Sequence, residues 1–182
     1  MDSKDLMLIV NMAVLGFITA ISCVQIAGLI TGILGINYIF TIVSAIITSF
    51  SSLLYEGRRW RFFTQFTLYA LLITPTYLGG APFNIISRLG HVVAGFFGDL
   101  LFNRGYAVFK KNNKLMLWSI LTTVALWIMI PFFGTLIKPL VYTPEAMAQY
   151  VNVVILLSPV IIAESAAGGY IGYKIYKKVK QK

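Results

Sequence analysis

Apolar residues run along this chain in long blocks, separated by short polar segments. Residues 6–55 carry no charged side chain, which is enough for two membrane spans of roughly 20 residues each. The break between them falls at Thr31-Gly32-Ile33-Leu34-Gly35, where two glycines and the following Asn37 supply turn chemistry. The pattern predicts helix 1 at Leu6–Leu29 and helix 2 at Ile36–Tyr55. A basic loop, Glu56-Gly57-Arg58-Arg59-Trp60-Arg61, leads into helix 3 at Phe62–Leu78. Gly79-Gly80-Ala81-Pro82 ends that helix, because two glycines and a proline do not continue one. Helix 4 is expected at Phe83–Asn103, helix 5 at Leu115–Ile137 and helix 6 at Gln149–Tyr173. Pro131 and Pro159 fall inside the last two and are expected to kink them. The fold class is therefore all-α: a single transmembrane domain over residues 1–182, built as a bundle of six helices.

Composition agrees with lipid burial. Charged residues make up 12% of the chain, where a soluble domain carries about 25%. The net charge of +9 does not point to nucleic acid, since the basic residues lie in short clusters between apolar runs. Those clusters set the orientation. Of the fifteen Lys and Arg residues, thirteen fall at Lys4, in the second loop (Arg58, Arg59, Arg61), in the fourth (Arg104, Lys110, Lys111, Lys114) and in the tail (Lys174, Lys177, Lys178, Lys180, Lys182). The opposite side has one, Lys138. Positive residues stay in the cytoplasm, so both termini are expected there. Tyr and Trp residues cluster at both predicted borders, as interfacial belts do. The first apolar run has 24 residues, longer than a signal-peptide core, and reads as a retained span. The lone Cys23 reads as a small packing residue and offers no disulfide or metal site.

Ionisable groups inside a span are costly, and so each is a functional candidate. Arg88 and His91 are three residues apart and share a helix face in the outer half of the membrane. A guanidinium there could hold a carboxylate or phosphate through paired donors, or snorkel to the interface. Asn37, Tyr77, Asn84 and Asn152 lie at the outer helix ends and could line a pocket with Arg88 and His91. Asp99 and Glu164 lie deeper. Asp99 is expected to pair with Arg104 or a loop lysine, and Glu164 to bond a neighbouring helix, a partner or a proton. Gly16 and Ala20 form a small-residue pair on helix 1 that could dock a second membrane protein. No catalytic motif, nucleotide-binding loop, metal-ligand cluster or cofactor site is present, which argues against an enzyme.

The central run Gly90-His91-Val92-Val93-Ala94-Gly95-Phe96-Phe97-Gly98-Asp99-Leu100-Leu101 carries a likeness. So do the start Lys4-Asp5-Leu6-Met7-Leu8-Ile9, the Gly79-Gly80-Ala81-Pro82 turn, Trp118, Pro131-Phe132-Phe133 and Gly168-Gly169-Tyr170-Ile171-Gly172 before a Lys-rich tail. Together these resemble the substrate-binding S components of energy-coupling factor transporters, notably the MptD-like (Trep-Strep) group. The resemblance implies a six-helix subunit of a prokaryotic plasma membrane that captures a vitamin-like small molecule from outside, and the Arg88 guanidinium would suit an anionic one. It implies a pocket formed by the outer halves of helices 4 to 6 and the first, third and fifth loops, where Asn84, Arg88, His91 and Asn152 fall. It further implies a transmembrane T component and two cytoplasmic ATPases as partners. The family docks its T component through Ala-x-x-x-Ala on helix 1; here Gly16-x-x-x-Ala20 departs from that motif. No substrate-specific motif is present, and the lack of an N-terminal histidine cluster argues against a nickel or cobalt carrier. Competing readings are a small channel or facilitator, which needs a continuous polar path from Arg88 to Asp99 and Glu164, and a membrane assembly factor.

Overall fold

A computed structural model describes residues 2–181. It is all-helical, with no strand among the described residues. Six helical elements follow one another: α1 (Ser3–Thr31), α2 (Ile36–Tyr55), α3 (Arg61–Ile73), α4 (Leu89–Lys111), α5 (Leu115–Ile137) and α6 (Pro144–Lys180). α1, α2, α5 with its last turn, and α6 are long and apolar enough to cross a membrane. α3 has 13 residues, too few to span a hydrocarbon core about 30 Å thick. α4 carries Asp99 and Arg104 in its length and is less apolar.

The differences from the expected boundaries have local causes. α3 stops at Ile73 rather than Leu78, because Pro75 cannot donate to the next helical turn. The chain then runs through turns to a short 3-10 segment, Ile86–Arg88, so α4 begins at Leu89 rather than Phe83. Phe83 itself lies at φ 61, outside any helix. At its other end α4 runs past Asn103 to Lys111, and Asn113 turns left-handed at φ 56. Arg104, Lys110 and Lys111 thus ride on the helix rather than in a loop, the last two near its negative end. α6 starts earlier than Gln149, at Pro144, where Thr143 accepts the Ala146 N–H as N-cap. It continues to Lys180. Its 37 residues make a rod about 55 Å long, well beyond a bilayer core. α1 contains one π-helical turn, Ala20–Val24.

α2 packs along α6, α6 along α5, α5 along α4, α4 along α3, and α3 along α1; α1 also touches α2, which closes the ring. α2, α5 and α6 meet where Ser49, Ser119 and the Gly169 carbonyl hydrogen-bond at 2.6–3.0 Å. Glycines allow this approach. A methyl on Gly168 would stand 2.5 Å from the Ala45 Cβ, and one on Gly169 would stand 2.8 Å from the Ile120 Cα. Without a hydrophobic drive between helices in lipid, such contacts and buried hydroxyls hold the bundle. The outward faces are apolar: Met7, Ile30, Leu71, Leu121, Leu136 and Leu156 are all exposed.

Asp99 and Glu164 find a shared explanation here. Asp99 accepts from the backbone N–H groups of Trp60 and Phe62, at the start of α3. Glu164 accepts from the Ile42 N–H at 3.0 Å, in the first turn of the α-helical part of α2. Helix starts leave unpaired N–H groups and carry partial positive charge, and in lipid no water satisfies them. Each acid on one helix therefore caps another. The pair of Asp99 with Arg104 or a loop lysine is not formed. At the Asp99 end, Asp5 binds Arg58 (2.6 Å) and Arg61, tying α1 to the loop between α2 and α3 and to the start of α3.

Candidate ligand-binding cavity

The helices part at the end of the bundle away from the Arg58–Arg61 loop and leave a cavity of about 640 Å³. A ligand site typically measures about 300–1,000 Å³. The cavity is bounded by the end of α1, the turn at residues 32–35, the start of α2, the end of α3, the segment 77–81, and the region from Lys138 to Tyr150. Several of these walls are fixed by side chain to backbone bonds. Asn37 Oδ1 accepts the Gly28 N–H at 2.8 Å and pins α1 to α2; a methyl on Gly28 would stand 2.6 Å from that oxygen. The Ala81 N–H donates to the Tyr142 hydroxyl at 2.9 Å, joining the third loop to the fifth. The Tyr38 and Tyr150 hydroxyls meet at 3.4 Å. Gly80, at φ 149, has no room for a side chain against Ser87 and Tyr142.

The sequence candidates divide. Asn37, Tyr77 and His91 line the cavity. Tyr77 stands exposed at its rim, and His91 lies beside the Tyr69 ring at 5.5 Å between centroids. Arg88, Asn84 and Asn152 do not line it. Asn152 is exposed on the outside of α6. Asn84 caps the Ile86–Arg88 turn, its Oδ1 accepting the Ser87 N–H at 3.2 Å. Arg88 is 1% exposed, and its guanidinium is turned away from α4 onto the third loop. One terminal nitrogen donates to the Ala81 and Asn84 carbonyls (2.6 and 3.0 Å) and to Ser87 Oγ; the other donates to the Thr76 and Gly80 carbonyls (2.6 and 3.1 Å). Those donors hold a loop, not a ligand. Gly16 and Ala20 are also turned inward. Ala20 is fully buried with Ile73 and Leu78, and Gly16 faces the Tyr69 ring, so α3 already covers this stripe.

The charged residue that does line the cavity is Lys138. It is 4% exposed, donates to the Gly79 carbonyl, and lies 5.5 and 5.1 Å from the Tyr142 and Tyr150 ring centroids. No lining residue is acidic. Trp127 forms part of the wall; it is 7% exposed and its indole N–H has no hydrogen-bond partner among the described residues. The sequence held a signal for Lys138: it is the lone cation on the side that the positive-inside count leaves nearly empty, and it ends an apolar helix. No such signal marked Trp127, Tyr69 or Tyr150, whose side chains differ in pattern from no other aromatic in the chain. Comparison with protein-family models, curated proteins and solved structures gives no match to this chain.

Proposed function

We propose that this protein is the substrate-binding membrane subunit of a transporter of the energy-coupling factor type, taking up a vitamin-like small molecule. In this reading all six helical elements cross a prokaryotic plasma membrane, α3 and α4 completing their passage through the turns between them. Both termini are cytoplasmic. The observation that carries the reading is the cavity: it lies at the end of the bundle away from the basic clusters, among the first, third and fifth loops, and holds a buried lysine and no acid. A positive-inside bilayer puts that end outside.

A channel is less well supported. Asp99 and Glu164 cap helix starts, and below the cavity Ala45, Leu126 and Ile161 are buried apolar core. The long basic end of α6 and the exposed Trp60 beside Arg59 offer cytoplasmic surfaces to a T component and its two ATPases. The inward-facing Gly16 and Ala20 do not.

The test is gentle extraction from membranes of the source cell, followed by native mass spectrometry of intact complexes. Co-release of a membrane subunit and an ATPase pair, with a small molecule retained on this chain, is the expected result. A chain released empty and without partners would transfer the weight to an assembly role.

A further inference from the structure

A single cation, two buried nitrogens without partners among the described residues (Trp127 Nε1, a donor, and His91 Nδ1, a donor or an acceptor) and aromatic walls surround this cavity, and they restrict what it can hold. Lys138 brings an ammonium into the buried wall, where one carbonyl, that of Gly79, is its only hydrogen-bond acceptor among the described residues and the two tyrosine rings attract it through their π faces. An ammonium has three donors, so two are left for a ligand. The Trp127 N–H is a further buried donor with nothing to bind. A buried donor without an acceptor is costly, and a ligand acceptor would recover that cost. Both groups ask for acceptors, and one asks for negative charge. Glu164, below the cavity floor, is turned to the Ile42 N–H and does not neutralise them. Around these donors stand Tyr38, Tyr69 and Tyr150, with Trp127 itself, and flat rings stack on such walls better than branched aliphatic groups do.

We infer, on the premise that the cavity is a capture site, that its substrate is a planar aromatic acid: an anionic group seated on Lys138 and a ring system held among Tyr38, Tyr69, Trp127 and Tyr150. The anion displaces the Gly79 carbonyl from the ammonium or shares it. A ring that also carries an acceptor would add a bond to the Trp127 N–H. Because Gly79 lies in the third loop, the same contact joins substrate to the loop that Arg88 holds.

The experiment uses three probes of similar size on the full chain in lipid nanodiscs: indole-3-acetate, indole-3-acetamide and cyclohexylacetate. Calorimetry should show indole-3-acetate binding more tightly than the other two, the amide losing the charge and cyclohexylacetate losing the ring. Lys138→Met should weaken indole-3-acetate by about tenfold or more, which is 1.4 kcal/mol, and leave the amide nearly unchanged. Lys138→Arg keeps the charge and should retain the preference, which covers the case in which Lys138→Met fails to fold. Equal affinity for acid and amide, equal affinity for the saturated acid, or no binding of indole-3-acetate would overturn the inference. Native mass spectrometry on the same preparation separates the two levels: a retained neutral or aliphatic molecule defeats the aromatic acid and keeps capture, whereas an empty chain defeats both.

Discussion

Two buried cations stand at the same end of this molecule, and they do different things. Arg88 sits under the third loop and gives its terminal donors to the carbonyls of Thr76, Gly80, Ala81 and Asn84. Lys138 sits in the cavity wall with one carbonyl and two aromatic rings. Depth in the membrane does not distinguish them. Donor accounting does. Arg88 Nε is buried without a partner among the described residues, but both terminal nitrogens are matched by loop oxygens, so a ligand would have to compete with oxygens already in place and the residue is a structural tie. A cation with terminal donors left over is available to a ligand. The contrast shows that the expense of charge in lipid marks a residue as important and leaves open what it is important for.

The largest effect that would sharpen this contrast is expected at Arg88. Arg88→Met leaves several loop carbonyls without a donor, and should lower stability by at least about 3 kcal/mol. Tryptophan fluorescence followed through thermal unfolding in detergent checks this. Lys138→Met should cost about 1 kcal/mol in the same assay, since a single hydrogen bond is lost, while substrate retention collapses. Equal destabilisation by the two variants would erase the distinction.

The acidic caps come next. Asp99→Ala removes the acceptor for the Trp60 and Phe62 N–H groups and should cost about 1–2 kcal/mol; Asp99→Asn keeps an acceptor and should cost less. If Asp99 instead carried a proton or paired with Arg104, the asparagine variant would be as damaging as the alanine one. The smallest effect belongs to the surface pair of Glu56 with Lys180. The Lys180 ammonium holds the Glu56 carboxyl below the usual carboxylate range. A lowered folded-state value means that the contribution is present above the ordinary pKa of about 4.3 and is lost as pH falls through the folded value. Glu56→Gln should therefore change stability little at neutral pH, by less than about 1 kcal/mol, and not at all in strong acid, as read from thermal unfolding.

Much of the fold was legible because lipid demands long apolar runs. α1, α2, α5 and α6 contain every span that hydropathy marks most strongly, and the glycines at Gly79 and Gly80 marked the third loop correctly. The limits of α3 and α4 were misread for identifiable reasons. Pro75 lies within an apolar stretch and was passed over, and the polar end of α4 looked like a loop because Arg104, Lys110 and Lys111 are basic. The site was legible only in part. Asn37, Tyr77 and His91 stand where helix ends meet the cavity, which their positions suggested. From the sequence Arg88 reads either as a ligand donor or as an interface anchor, on a helix that begins at Phe83; with α4 starting at Leu89, the side chain folds back under the loop instead. Lys138 was visible as a charge but was counted as a loop residue. Whether a donor is free depends on carbonyls about 60 residues away, such as that of Gly79, and no local pattern encodes that.

The central claim is that the cavity opens to the outside of the cell. Gln149 lines it and is exposed, whereas Arg59 lies at the far end. With Cys23→Ser as background, Gln149→Cys and Arg59→Cys can be tested with a membrane-impermeant maleimide on sealed right-side-out vesicles. The account expects labelling of Gln149→Cys at once and of Arg59→Cys only after permeabilisation. The reverse order would contradict it.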